Sequence, residues 1–336
     1  MFNNKKLAMI SSGKVMSMDW KTDKFSSVEQ VMDGMKAAHY ICDSQVATTV
    51  YIAYHIEKPV LIEGPAGVGK TELAKVVAEY LEAPLIRIQC YEGLDESKAL
   101  YEWKYGKQLL YTQLLKDKLD TIVNEQDKLA DSIAKLHQYD DIFFSAHFLE
   151  PRPLLKALEQ PDGVVLLIDE IDKADEEFEA FLLEVLSDYQ VSIPEIGTIK
   201  AVRKPLVFLT SNNARELSEA LKRRCLHLYI PFPSAALERE VIKSRLPQIG
   251  ERLRKQLVAF IQAVRTLDIR KPPSISETID WARVLLLMHA ESLSRELVSK
   301  TLNVFLKHEE DIRVTEEKLV SLTAAALKDD AGMAGE

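Results

Sequence analysis

Pro59-Val-Leu-Ile-Glu-Gly-Pro-Ala-Gly-Val-Gly-Lys-Thr71 is the stretch on which the reading of this chain turns. A short apolar run ends at Glu63, and Gly64, Gly69, Lys70 and Thr71 then fill the pattern G-x-x-x-x-G-K-[ST]. Glycines suit such a loop because backbone N–H groups have to curl around a phosphate chain that side chains would obstruct. Lys70 can reach the β- and γ-phosphates as a point charge, and Thr71 can offer its hydroxyl to Mg²⁺. A helix opening at Thr71 and running to Tyr80 turns its positive N-terminus toward the same phosphates. A glycine-rich turn without a ligand is the bland alternative, and a strand before with a helix after argues against it. The segment reads as a nucleotide site, with Gly64, Pro65, Ala66, Gly67, Val68, Gly69, Lys70, Thr71 and Glu72 as candidate nucleotide-binding residues.

A second stretch, Gly163-Val-Val-Leu-Leu-Ile-Asp-Glu-Ile-Asp172, answers the first. An all-apolar run of this kind is a strand buried on both faces, as in a parallel sheet. Ligands collect at the C-terminal ends of such strands, where Asp169 and Glu170 stand. Asp169 fits the acid that holds Mg²⁺, and Glu170 fits the general base or orienter of an attacking water. The charge continues through Asp172, Asp175, Glu176 and Glu177, which read as a solvated acidic loop. A further buried strand, Pro205–Thr210, runs into Ser211-Asn212-Asn213. Asn212 at its tip could hold a water near the γ-phosphate, while Asn213 suits the N-cap of a following helix at Arg215–Leu221.

The rest of the chain supplies the frame. Its 336 residues are enough for two domains, and 47% hydrophobic residues are ordinary for globular cores. A net charge of −9 argues against coating nucleic acid by bulk electrostatics. Cys42, Cys90 and Cys225 are odd in number and far apart, so they read as reduced thiols. No apolar run approaches a membrane span and the N-terminus lacks a signal-peptide core, which suggests a cytoplasmic protein. Residues 1–25 form an N-terminal extension, 26–230 an α/β nucleotide-binding domain, and 231–336 a helical domain with a tail. Ser26–Glu29 has the form of a capping box. A strand is expected at Pro84–Gln89, and a helical insertion at about 104–150 with its stripe from Gln108 to Tyr139. Tyr91, Tyr101, Trp103 and Tyr105 either grip a polypeptide or pack in the core. Tyr189–Val202 predicts a hairpin with Gly197 in the turn, and Pro231-Phe-Pro233 a domain boundary. Helices are expected at 235–244, 250–267, 276–290, 292–307 and 315–327, with Ser274–Glu277 as a capping box.

With these two motifs, Asn212 after a strand and the pair Arg223-Arg224 before another, the chain resembles the AAA+ ATPases over about residues 27–310. Gly64–Ala74, a helical insertion after the second strand and a hairpin before Asn212 look like the MoxR group. Lys271-Pro-Pro-Ser-Ile-Ser-Glu-Thr-Ile-Asp-Trp-Ala282 is similar to its CoxD-like branch. The resemblance implies a five-stranded parallel sheet flanked by helices, a helical lid, and a homo-oligomeric, hexameric ring with ATP and Mg²⁺ between subunits. It makes Lys70 and Thr71 the Walker A pair, Asp169 and Glu170 the Walker B pair, and Asn212 the first sensor. It makes Arg224, with Arg223 as the alternative, the arginine finger supplied to a neighbour. It implies a chaperone that matures a metalloenzyme such as a molybdenum hydroxylase with a von Willebrand factor A-type (VWA) partner. A second sensor arginine of the lid is replaced here by Ser276, with Arg283 two helical turns on. An ATP-dependent nucleic-acid machine, such as a clamp loader or helicase motor, and a nucleotide-sensing scaffold with little turnover stand as alternatives.

Overall fold

The structure, a computed structural model, describes residues 23–111, 113, 147–194 and 196–328. Most of the N-terminal extension, most of the expected helical insertion, Glu195 and the end of the tail lie outside the described residues. Two helices come first, α1 (Val28–Ala37) and α2 (Ser44–Ile56). The cap of α1 is Ser27, which accepts from Gln30 N, so the start falls one residue after the Ser26–Glu29 box. Ser26 bonds the Gln30 side chain instead. Next come β1 (Val60–Glu63), α3 (Lys70–Leu81), β2 (Leu85–Gln89), α4 (Glu96–Ala99), β3 (Tyr101–Trp103) and β4 (Leu149–Pro151). They are followed by α5 (Pro153–Leu158), β5 (Val165–Asp169), a 3₁₀ turn at Ile171–Lys173 and α6 (Glu176–Asp188). The domain closes with β6 (Gln190–Ile193), β7 (Gly197–Lys200), β8 (Leu206–Ser211), α7 (Glu219–Arg224) and β9 (Leu226–Tyr229).

Five strands make one parallel sheet in the order β2-β5-β8-β1-β9. Every residue of β5 and β8 is buried, because helices cover both faces of the sheet. The two-residue period sorts their side chains. Leu166, Ile168, Val207 and Leu209 enter a core shared with α5 and α6, whereas Val165, Leu167, Leu206 and Phe208 face α1, α2 and α3. Side by side, the C-terminal ends of β1, β5 and β8 bring the phosphate loop, Asp169 and Asn212 to one edge.

Smaller pieces differ from the sequence reading for physical reasons. β3 and β4 pair antiparallel across the insertion, and three-residue strands so far apart leave no periodic trace. Trp103 is buried against Tyr101, their rings edge to face at 5.9 Å, while Tyr91 and Tyr105 stand exposed. β6 and β7 form the hairpin, with Gly197 as the first residue of β7 rather than in its turn.

After Pro231-Phe-Pro233 the chain is helical: α8 (Ala235–Arg245), α9 (Glu251–Arg265), α10 (Ile275–Leu287), α11 (Arg295–Phe305), α12 (Glu309–Glu317) and α13 (Leu319–Lys328). α12 escapes sequence reading because it is acidic and buries only Asp311 and Thr315, so it carries no apolar stripe. This lid has its own core around Trp281, Phe260 and Phe305. Beside that core Glu238 is fully buried and accepts from Arg265 through both oxygens, from Gln262 and from Thr278. Arg265 also donates to Pro273 O at 2.7 Å and lies over the Phe232 ring at 5.1 Å. One buried anion thus gathers the linker, α8, α9 and the start of α10.

Candidate functional site

The phosphate loop begins where β1 ends. Gly64 comes so close to β9 that a Cβ there would lie 2.1 Å from Ile230 O, so only glycine fits. Lys70 opens α3, is 6% exposed, and donates from Nζ to Gly64 O, Pro65 O and Asn212 Oδ1, each at 2.7 Å. Burial pulls its pKa below the usual amine range, against the raising influence of Asp172, Asp169 and Glu170. Thr71 donates to Asp169 Oδ1 at 2.9 Å, and Thr210 of β8 donates to the same oxygen at 2.5 Å. The Thr210 hydroxyl accepts in turn from Glu170 N at 2.9 Å, so one side chain orients both acidic residues.

Glu170 has the left-handed φ of 58°, uncommon for a residue with a Cβ. Its carboxylate accepts from Asn212 Nδ2 at 3.2 Å, from Gln89 Nε2 at 2.7 Å and from Lys173 Nζ at 2.7 Å. Two amides therefore flank the candidate base, and each amide oxygen accepts from a cation: Lys70 on Asn212, Arg87 on Gln89.

Asp172 is not solvated. It is 4% exposed, and its Oδ2 accepts from Asn212 N at 3.1 Å and Ala214 N at 2.8 Å. The carboxylate holds the loop that carries Asn212, a role hidden in the sequence by the acidic run around it. Asp175 caps α6, while Glu176 and Glu177 are exposed. Asn213 is no helix cap; it takes a left-handed φ of 61°, and Ser218 caps α7 instead. Arg215, Glu179 and Ser218 anchor the same loop to α6, the first two at 3.0 Å.

Lid and phosphate loop meet directly. Ser276 donates to Gly67 O from its backbone N at 3.3 Å and from Oγ at 3.1 Å. Ser274 and Glu277 form the capping box of α10. Arg245, at the end of α8, pairs with Glu72 at 2.7 Å. Burial pushes the Glu72 carboxyl up, but Arg245 and then Lys75 outweigh that and hold it below the usual range. Arg283 pairs with Asp280 at 2.9 Å.

Two adjoining spaces follow from this arrangement. A pocket of about 260 Å³ is lined by Gly67, Lys70, Thr71, Asp169, Glu170 and Asn212 among others. A cavity of about 900 Å³ lies between α2, β9 and the lid, lined by Tyr40, Val68, Gly69, Ile230, Ile275 and Arg283 among others. Arg283 therefore borders the larger cavity and not the smaller. Among the described residues no cluster of three or more His, Cys, Asp or Glu side chains could hold a metal alone. One hydroxyl and one carboxylate, Thr71 and Asp169, suit Mg²⁺ that takes its remaining oxygens from phosphates and water. The donor set, the glycine loop and a large apolar-walled neighbour cavity fit a nucleoside triphosphate with its metal. Among the cysteines, burial pushes Cys90 up to about 12, with Asp169, Asp172 and Glu170 adding to the shift.

On α7 the two arginines differ. Arg224 is exposed, donating from Nε to Ser187 Oγ at 2.8 Å, while Arg223 is exposed and makes no hydrogen bond or ion pair among the described residues. Neither lines the two spaces of its own chain.

Sheet order, phosphate loop, paired acids and helical lid together make this an AAA+ P-loop NTPase fold. Residues 59–225 match the AAA domain of the dynein-related subfamily. An uncharacterised protein of Staphylococcus aureus (strain USA300) is 28% identical over 260 residues, covering 75% of this chain and 85% of its own length. A counterpart from strain MRSA252 is 27% identical over 260 residues with the same coverage. Among solved structures, the Thermotoga maritima RuvB Holliday junction branch migration motor is 18% identical with a TM-score of 0.41, covering 83% of this chain and 71% of that one. A mutant of the same RuvB is 17% identical with a TM-score of 0.45, covering 91% and 85%. No helix among the described residues is long and apolar enough to cross a membrane.

Proposed function

We propose that this protein is an ATP-hydrolysing machine of the MoxR type, working as a ring and moving its lid as it turns over nucleotide. The observation that carries the reading is the connected set Lys70–Asn212–Glu170 and Thr71–Asp169, which brings a phosphate-binding cation, a water-positioning amide, a base and a metal-binding acid to one pocket. Lys70 and the loop amides hold the triphosphate, and Thr71 with Asp169 holds Mg²⁺, which neutralises phosphate charge when bound. Glu170 accepts a proton from the attacking water as the bond from the γ-phosphorus to the bridging oxygen breaks, leaving ADP and phosphate. Arg223 and Arg224, which line neither space of their own chain, serve the neighbouring subunit's site in a closed homo-oligomeric ring such as a hexamer.

A client is inferred from the resemblance alone. Gly64–Ala74 and Lys271–Ala282 support a CoxD-like chaperone acting in the cytoplasm with a VWA-domain partner on a molybdenum-type metalloenzyme. The test uses two variants. Lys70→Ala is expected to lose nucleotide binding, and Glu170→Gln to keep binding while turnover falls at least about a hundredfold. Wild-type turnover in Glu170→Gln overturns the assignment. The Glu170→Gln protein with Mg-ATP then serves as a trap in cell extract. Recovery of a VWA protein or metalloenzyme subunits supports the chaperone, and nuclease-sensitive DNA supports the nucleic-acid alternative.

A further inference from the structure

Arg87 has no part in the scheme above, yet it touches the metal-binding acid. It sits on β2, the edge strand beside β5, with Arg87 opposite Leu167 and Gln89 opposite Asp169. Residues two apart on a strand face the same way, so Arg87 and Gln89 share one face. The Arg87 Nη2 donates to Asp169 Oδ2 at 2.5 Å and also to the Gln89 side-chain oxygen.

This contact is not needed to aim the carboxylate. Asp169 Oδ1 is already held by the Thr71 and Thr210 hydroxyls. Burial does not demand it of Arg87, whose side chain is 47% exposed and could be satisfied by water, whereas the Asp169 side chain is 3% exposed and needs a cation at Oδ2, Arg87 or a metal. Oδ2 is the oxygen left for a cation, and Arg87 holds it. The neighbouring cations are committed elsewhere: Lys70 to Gly64 O, Pro65 O and Asn212, and Lys173 to Glu170.

We propose that Arg87 is a tethered cation that competes with the divalent metal for Asp169 Oδ2, and so sets the metal concentration at which the nucleotide site fills. The proposal rests on the nucleotide reading given above. A guanidinium and a divalent ion cannot share one oxygen without strong repulsion, so Arg87 leaves Oδ2 before a metal takes it. Its exposure makes leaving easy, because the freed group goes straight to water. The competition is therefore graded rather than blocking, on the order of tenfold, as for one partly exposed charge-assisted hydrogen bond.

The experiment follows binding of a fluorescent ATP analogue to the full chain as Mg²⁺ is titrated, with affinity in chelator as the baseline. Mn²⁺ replaces Mg²⁺ in a parallel titration read by electron paramagnetic resonance. Arg87→Gln is expected to lower the half-saturating metal concentration about tenfold, with Arg87→Lys between it and wild type. A half-saturation that is unchanged or higher in Arg87→Gln, with the analogue still bound, overturns this proposal and leaves the nucleotide reading standing. If Arg87→Gln fails to fold, Arg87→Lys decides alone, and a value at or above wild type overturns the proposal. A wild-type protein that binds no analogue at any metal concentration overturns the nucleotide reading and this proposal with it.

Discussion

Glu238 shows how much one side chain can hold. It is fully buried with Arg265, whose side chain is 8% exposed, and it also accepts from Gln262 and Thr278. Removing one member of such a pair strands the other without a counter-charge, which costs about 3–5 kcal/mol. Glu238→Ala is therefore expected to lower lid stability by about that amount, read by denaturant titration of Trp281 fluorescence at the lid core. A loss below about 1 kcal/mol would show that water replaces the carboxylate. Asp172 works on the same logic at smaller scale, holding two backbone N–H groups of the loop that carries Asn212. Neither role is legible in the sequence. Glu238 lies in an ordinary charged helical stretch, and its partner Arg265 comes from the next helix. Asp172 is masked by the acids after it. Lys70 and Thr71 stand out in the sequence by the short fixed spacing of the glycine loop, and Asp169 and Glu170 by ending an all-apolar strand, and the structure brings the four to one pocket.

Between elements, the contact of α10 with the phosphate loop matters most. Gly67 has a φ of 76°, and a Cβ there would lie 2.3 Å from Ser274 Oγ and 2.7 Å from Ser274 Cβ. Gly67→Ala is expected to push the start of α10 away, breaking the Ser276 bonds to Gly67 O. Under the proposed function, nucleotide affinity then falls about tenfold or more, and the 231–234 linker becomes easier to cleave in limited proteolysis. Unchanged affinity and cleavage would mean that the lid yields at no cost. Legibility at this scale followed periodicity. The double-sided strands β5 and β8 and the capping box of α10 announce themselves, whereas α12 has no apolar stripe and β3 with β4 are too short. The contact between Ser276 and Gly67 joins residues 209 apart in sequence, and only folding brings them together.

At the scale of the molecule, Arg223 and Arg224 line neither of the two spaces of their own chain. If they act across a subunit boundary, an arginine-less subunit can still be served by a neighbour. Mixing Glu170→Gln protein with the double variant Arg223→Ala/Arg224→Ala is then expected to restore part of the turnover that each lacks alone. Single replacements assign the effect to Arg223, free of partners among the described residues, or to Arg224, tied to Ser187. No recovery in mixtures that co-assemble would overturn action across the boundary, and wild-type turnover by the double variant alone would place both arginines outside the reaction.

The strand order carries one more consequence, and it concerns the birth of the chain on the ribosome. Val60 of β1 finds its sheet partners at Phe208 and Leu226, so the strand that launches the phosphate loop is made early and stays unpaired until both late strands emerge. Closing so long a span is slow, and an apolar strand waiting in the open is exposed to wrong pairings meanwhile. Nascent chains that stop short of Tyr229 have every residue of the glycine loop and yet lack the walls that shape it. In this fold the walls of the glycine loop are therefore completed late in synthesis, once β9 has joined the sheet beside β1.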